Sequence, residues 1–308
     1  MLVSIIMPMR NAESYIRQTL ASILTGFYSN IEIIIVDDGS SDDSVNIIQQ
    51  LNDPRILIIP GESKGIAAAF NKALDVVRGE VVMRCDADDL YTKDRIAWQI
   101  SWLKENPKYD GVCGNFSMID VKGVVVNDTL NSDCVSDDIT NELKSGVTRT
   151  HFCTYAIKTN ILKKINGCRE YFITAEDVDL QLRLGENSRI WYEHKVSYLY
   201  RLHDMSITHS QPDNQRVFFE KTAKKFQKQR LSEGNDELDN NSAPTPPPGK
   251  NNKSHSADKH ITSMLVGSAW NLHQQGKKKE ALGRMFKALS LSPIDFKIWK
   301  SMVAMILK

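Results

Sequence analysis

The first hundred residues alternate short apolar runs with segments of helical spacing. Residues 3–7 are almost unbroken apolar, the pattern of a strand buried on both faces of a parallel sheet, and Pro8 is expected to end it. Ile16, Leu20, Ile23 and Leu24 recur at helical spacing within residues 12–24. The same reading predicts strands over 31–36, 55–59 and from 81 to 83, with helices over 44–51 and 65–77. A β-α-β-α rhythm of this kind implies a right-handed parallel sheet of the α/β class. Further on, the pattern predicts a helix over 95–104, mixed strands around 112–126, helices over 157–165 and 177–184, and a strand over 190–202. The polar, acidic stretch 127–145 reads as a loop with one helical turn.

The pattern changes near the end of the chain. Between 231 and 263 Ser, Asn, Asp, Lys and Pro dominate, with the run Pro244-Thr245-Pro246-Pro247-Pro248-Gly249, which predicts an extended or disordered linker. Beyond it Gly276, Ala281, Ala288 and Pro293, with Met285 between them, predict one helix pair of tetratricopeptide type. An ordinary helical hairpin fits the same residues. Phe296, Trp299, Val303 and Ile306 share a face of the last helix, among lysines that include Lys297 and Lys300. Such a helix suits an anionic membrane surface, or packing against protein.

Composition sharpens this division. The chain has 308 residues, 41% hydrophobic and 25% charged, as in soluble globular proteins. Its net charge of +1 conceals a body of −8 up to Asp213 and a tail of +9 from Asn214 onward. Nothing in this balance calls for a nucleic-acid partner. Cys85, Cys113, Cys134, Cys153 and Cys168 are scattered, with no C-x-x-C, and read as buried small side chains in a reducing compartment. The apolar start is too short for a signal core, and no run approaches a membrane span. The expectation is a soluble, cytoplasmic protein.

In an open α/β sheet, ligands collect beyond the carboxyl ends of the strands. Three such ends are rich in polar groups: Pro8-Met9-Arg10-Asn11, Asp37-Asp38-Gly39-Ser40 and Asp86-Ala87-Asp88-Asp89. No G-x-G-x-x-G follows the first strand, which disfavours a dehydrogenase, and no P-loop is present. Period-2 spacing at a strand end points Asp86 and Asp88 to one side, where their charges repel unless a cation intervenes. Hard carboxylate oxygens select Mg²⁺ or Mn²⁺. An acidic surface turn is the plain alternative. Glu176-Asp177 opens a helix whose positive dipole end favours ionised carboxylates, in a catalytic role, a capping role or both.

V-S-I-I-M-P-M-R-N, I-V-D-D-G-S-S-D-D-S, K-G-I-A-A-A-F-N-K-A-L, D-A-D-D, T-A-E-D-V-D-L-Q-L-R-L and Y-L-Y-R-L-H-D-M-S-I-T follow one another in order. Together they resemble family 2 glycosyltransferases of the GT-A fold, in the bacterial surface-polysaccharide branch, over about residues 3–208. The resemblance implies an α/β nucleotide-sugar-binding fold with a mostly parallel mixed sheet, plus a C-terminal helical appendage. With the composition and spacing of the later residues, this gives a catalytic domain (1–213), a connecting helix (214–230), a linker (231–260) and a basic helical hairpin (261–308) of tetratricopeptide-like spacing.

The function it implies is metal-dependent, inverting transfer from a nucleotide sugar, UDP-linked, to a hydroxyl of a glycan or lipid-linked acceptor. That is a hexosyltransferase type of enzyme, cytoplasmic or peripheral on the inner face of the membrane. A catalytically silent assembly subunit is the alternative, against which the intact Asp38, Asp86, Asp88 and Asp177 set speaks. A nucleotidyltransferase would call for the missing glycine-rich loop. By resemblance Asp38 accepts the uracil imide N–H, Pro8, Arg10, Lys64, Gly65 and Asp86 line the nucleotide sugar, Asp88 ligates Mn²⁺ or Mg²⁺, and Asp86 contacts the ribose or the metal. Arg10 stands where relatives often carry an aromatic, and a guanidinium can stack on a base as well. Asp177 is the implied general base, with Glu176 on the acceptor side; His151, which follows Arg149-Thr150, either contacts substrate on that side or packs. His203 completes the metal shell or clamps the diphosphate, or is a structural histidine.

Overall fold

The computed structural model describes residues 1–128, 135–203, 213–249, 257–274 and 276–307. Cys134, the end of the last motif from Asp204 onward and part of the expected linker lie outside them. The chain divides into two compact units, the first made of Met1–Phe116, Leu130–Leu199 and Asp213–Lys250, the second of Ser117–Thr129, Tyr200–Pro212 and Asn251–Lys308.

The first unit opens with β1 (Val3–Met9), α1 (Ile16–Leu24), β2 (Ile31–Asp37), α2 (Ser44–Leu51), β3 (Ile56–Pro60), α3 (Ile66–Val76) and β4 (Val81–Arg84). Then come β5 (Leu90–Tyr91), α4 (Arg95–Glu105) and β6 (Gly111–Ile119), whose last residues pass into the second unit. After the excursion of β7 (Val125–Asp128) the first unit resumes with β8 (Asp137–Asp138), α5 (Thr140–Lys144), β9 (Ala156–Lys158) and α6 (Thr159–Lys164). It ends with α7 (Glu176–Asn187), β10 (Ile190–Arg201) and α8 (Asp213–Glu233). The strand order is β3-β2-β1-β4-β9-β6-β10-β5, with β8 on β10. The parallel part is β3-β2-β1-β4, and the pairs β4–β9, β9–β6, β10–β5 and β10–β8 are antiparallel. The sheet is therefore mixed.

β1 is buried along its whole length, as its apolar run predicts, but Pro8 does not end it. Met9 accepts from Asp38 N–H on the β2 side, and Ile6 accepts from Cys85 N–H on the β4 side. With alternate residues facing alternate neighbours, the missing N–H of Pro8 falls toward β4, whose register with β1 stops at Arg84 opposite Ile6. The proline occupies a place where no bond is lost. β9 is a second departure: residues 156–158 form a strand ahead of α6, within a segment read as helix from 157. Ala156 and Ile157 are fully buried between β4 and β6, and that packing overrides a run too short to show period 2.

The segment expected to be a linker is largely structured. α8 continues to Glu233, and Asp236 is buried between Arg169 and Arg230. The Tyr171 hydroxyl donates to the Pro244 carbonyl (2.6 Å), and Gln215 and Asn214 donate to Pro247 and Pro248. Proline carbonyls accept hydrogen bonds well, so a proline-rich stretch can dock in an extended form.

The second unit contains β7, α9 (Ala257–Gln274), α10 (Lys278–Leu291) and α11 (Phe296–Leu307). Ala269, Ala281, Met285 and Ala288 are fully buried where α9 and α10 cross, and Pro293 follows the end of α10. Val126 and Leu202 belong to the same core cluster, so these helices do not pack by themselves alone. Cys85, Cys113, Cys153 and Cys168 are buried free thiols. Among the described residues no helix is long and apolar enough to cross a membrane.

Candidate active site

The carboxyl ends of β1 and β2 are tied to each other. Asn11, in a left-handed conformation (φ 52°), donates its N–H to Ser40 Oγ (2.9 Å) and accepts the Ser41 N–H at Oδ1 (2.8 Å). Arg10 beside it is exposed, and Pro8 is buried in the strand. Asp37 Oδ1 accepts the Ser40 N–H (3.0 Å) and so builds the turn. Asp38 is different. It is 6% exposed, its Oδ2 accepts the Gly65 N–H (2.8 Å), and its Oδ1 is buried with no hydrogen-bond partner among the described residues.

Two glycines make this arrangement possible. Gly65 has φ +92°, which aims its N–H at the carboxylate, and a Cβ on Gly61 would fall 2.7 Å from Asp38 Oδ1 and 2.8 Å from Asp38 Cα. Gly65 therefore orients Asp38 with its N–H. The neighbouring Lys64 is exposed and ion-paired with Glu62 (2.7 Å).

β4 ends at Arg84, and Asp86-Ala87-Asp88 lies in a turn closed by Asp89 N–H on the Asp86 carbonyl (3.2 Å). The period-2 argument fails here because the strand has already stopped, yet both Asp86 and Asp88 remain partly exposed. Asp86 is held closely. Arg84 Nε donates to its Oδ1 (2.7 Å), the Cys153 thiol lies 3.6 Å from its Oδ2, and its N–H donates to the Tyr198 hydroxyl (3.1 Å). That hydroxyl donates to Asp89 Oδ2 (2.6 Å), so Asp89 braces the turn from beneath, while Asp94 stands at the N-cap of α4. Arg95, fully buried against the Tyr91 ring, donates to the carbonyls of Cys153 and Tyr155 and so fixes the turn that carries Cys153.

Glu176 and Asp177 are the first residues of α7, behind Ala175 in a left-handed conformation (φ 58°) that costs about 1 kcal/mol in a residue with a Cβ. Glu176 is 7% exposed and accepts from Arg84 Nη1 (3.1 Å). Burial pushes its carboxyl up, Arg84 pulls it back down, and the charge of Asp177 pushes it up again. Its partner in the structure is Arg84. Asp177 is partly exposed.

His151 precedes the turn Phe152–Thr154, with its ring edge-on to Phe116 at 4.5 Å. Burial lowers its pKa, the charge of Asp177 opposes this, and Arg216 of α8 adds to it. It therefore lies within the field of Asp177, Asp86 and Arg84. His203 is buried and falls in the second unit.

The structure thus brings Arg84, Asp86, Cys153, Glu176, Asp177 and His151 together, with Asp38 at the end of a strand two places from β4 in the sheet. Sequence reasoning missed Cys153, Tyr198 and Gly61. Nothing in a single chain marks a tyrosine that braces a turn more than a hundred residues away. The only signal for Arg84 is a charge on a strand that is otherwise buried and apolar. Among the described residues, no three His, Cys, Asp or Glu side chains converge as a metal cage.

Residues 4–166 match the model of glycosyl transferase family 2. An uncharacterized glycosyltransferase of Rickettsia typhi is 31% identical over 68% of this chain and 66% of its own length. A UDP-Glc:alpha-D-GlcNAc-diphosphoundecaprenol beta-1,3-glucosyltransferase of Escherichia coli, WfgD, is 35% identical over 40% of this chain and 49% of its own. The chain thus spans less than two thirds of the length of these relatives. Among solved structures, S. aureus TarS 1–349 in complex with UDP-GlcNAc matches 99% of this chain and 79% of its own, with a TM-score of 0.59 at 19% identity. That likeness extends the GT-A fold to this chain. The family-model match over residues 4–166, more than half of the sequence, shows that the chain belongs to glycosyl transferase family 2.

Proposed function

We propose that the chain is an inverting hexosyltransferase that moves a sugar from a UDP-linked donor to a hydroxyl of a lipid-linked glycan during surface-polysaccharide synthesis. The observation that carries this reading is the ion-paired junction of two acidic motifs: Arg84 joins Asp86 of the D-A-D turn to Glu176, one residue before Asp177. A donor diphosphate beside the turn and an acceptor hydroxyl beside the helix are then neighbours, as direct displacement requires. Asp177 takes the hydroxyl proton as the nucleophile forms, and His151, whose pKa burial lowers, lines the acceptor side. Asp38 receives the base. Its buried Oδ1 is an acceptor in want of a donor, and the uracil imide N–H is one. The names of two similar proteins accord with this: TarS is seen with UDP-GlcNAc, and WfgD is described by a UDP-glucose donor and a diphosphoundecaprenol-linked acceptor.

The donor set suits Mg²⁺ or Mn²⁺. Such ions bind through one or two carboxylates together with substrate phosphates, without a closed protein cage. Asp88, the last carboxylate of the D-A-D motif and partly exposed, is the ligand that the resemblance to family 2 glycosyltransferases implies. Bound there, the ion would supply Lewis-acid neutralisation of the leaving diphosphate. Calorimetry of UDP with Mn²⁺ tests this part. Asp88→Ala should remove the metal dependence of binding, and equal affinity with and without EDTA in the unaltered protein would contradict it.

The second unit supports a peripheral membrane role. Phe296, Ile306, Val303 and Trp299 of α11 are exposed at 82%, 59%, 50% and 45%, while Ile298, Met302 and Met305 fill the core. Lys300 lies next to that apolar stripe on the helix. An anionic bilayer, where a lipid-linked acceptor resides, offers both an apolar phase and negative charge.

A further inference from the structure

We infer that Arg84 is a positioning residue that sets the distance between the donor-side carboxylate and the general base, an inference that rests on the function proposed above. Its guanidinium is 5% exposed and divides its N–H groups between two elements, Nε to Asp86 Oδ1 (2.7 Å) and Nη1 to Glu176 Oε1 (3.1 Å). Its backbone is fixed as well, because the Tyr91 hydroxyl donates to the Arg84 carbonyl (2.9 Å) and Tyr91 lies in β5. A guanidinium is a rigid planar fork, so two carboxylates bound to different nitrogens are held at a set spacing. Asp177 follows Glu176 in the first turn of α7, and any tilt of that turn moves it.

Stability alone is a poor explanation for the trio. One buried cation serves two carboxylates, with Asp177 next in sequence to one and Asp88 two residues from the other. A buried ion group of this kind is weak evidence for stabilisation. Asp86 does not need Arg84 to stay in place, since Cys153 and Tyr198 hold it from other directions. What Arg84 provides is an ion-paired link from that turn to α7.

The test uses the full-length protein with Mn²⁺ and the UDP-sugar it turns over. The variants are Arg84→Lys, Glu176→Gln, their combination, and Arg84→Met with Glu176→Gln, which leaves no orphaned charge on Glu176. A lysine keeps the charge but is a point donor that cannot hold both carboxylates in register. Arg84→Lys should lower kcat about 100-fold, the cost of a misplacement near 1 Å, with the Kd for UDP within about threefold of the unaltered protein. Glu176→Gln should also lower kcat, and should add almost nothing in the Arg84→Lys background, because both break one link. The Arg84→Met, Glu176→Gln pair should fold, bind UDP and remain slow.

Unchanged kcat in Arg84→Lys overturns the inference, as do independent, multiplying losses for the two sites. UDP affinity falling in step with kcat overturns it too, and places Arg84 on the diphosphate. If the unaltered protein releases UDP from no sugar nucleotide, the proposed function fails and this inference fails with it. That outcome is distinguishable because it needs no variant.

Discussion

Gly61 and Asp38 approach so closely that a single methyl group cannot be placed between them, since a Cβ on Gly61 would meet Asp38 Oδ1 at 2.7 Å and Asp38 Cα at 2.8 Å. The glycine thus permits the pose in which Gly65 holds one carboxylate oxygen and the other is left for a ligand. Gly61→Ala must shift the backbone of Asp38 or turn its side chain away. Calorimetry should show UDP binding weakened about tenfold or more, the scale of a lost charge-assisted hydrogen bond. Affinity equal to that of the unaltered protein would remove Asp38 from base recognition.

Asp177→Asn keeps the shape of the first turn of α7 but cannot accept a proton. Turnover should fall by about 100-fold or more while UDP affinity holds, as expected when a general base is removed. A parallel loss of UDP affinity would place Asp177 in the donor site instead.

Asp236 anchors the segment after α8, paired with Arg169 and Arg230 in a fully buried position. Burial works to raise its carboxyl, and the hydrogen bonds of the two arginines with the charge of Arg169 outweigh this and hold it below the usual range. Because the folded value is depressed, the contribution to stability is present above the unfolded pKa and is lost as pH falls through the folded one. Asp236→Asn should cost about 3 kcal/mol at neutral pH, as for a broken buried ion pair. It should also flatten the acid limb of the stability profile. Chemical denaturation across pH reads both effects.

The α9, α10 and α11 helices share their core with Val126 and Leu202, so removing them exposes apolar groups elsewhere in the second unit. The membrane reading is therefore best probed by surface substitution in the full chain. Phe296→Ser with Ile306→Ser should abolish co-sedimentation with anionic liposomes without lowering the melting temperature, because both side chains are exposed. Binding by the unaltered protein should weaken with salt. If the unaltered protein stays in the supernatant, the stripe serves a protein contact.

Much of the first unit was legible because period and length agree. β1, β2, β4 and the helices α2 to α4 are flanked by turn residues, and their apolar runs match burial on both faces or on one. What was hidden depended on partners distant in sequence. Pro8 stays in β1 because β4 stops two residues short of it, and β9 is a strand because β4 and β6 enclose it. The stretch 234–249 looked disordered by composition, yet its carbonyls and Asp236 find donors on α8 and in the 169–171 segment. Asp38, Asp88 and Asp177 are the candidates that their motifs put forward. The bridge from Asp86 to Glu176 could not, since the two residues lie ninety positions apart.

The most direct measurement is the anomeric configuration of the product, read by proton NMR after incubation with an α-linked UDP-sugar, Mn²⁺ and a diphosphate-lipid acceptor. A β-glycoside that forms with one UDP released per transfer, and disappears with Asp177→Asn, is the result expected of single displacement with Asp177 as base. An α-glycoside, or no UDP release from any of a panel of UDP-sugars, would contradict it.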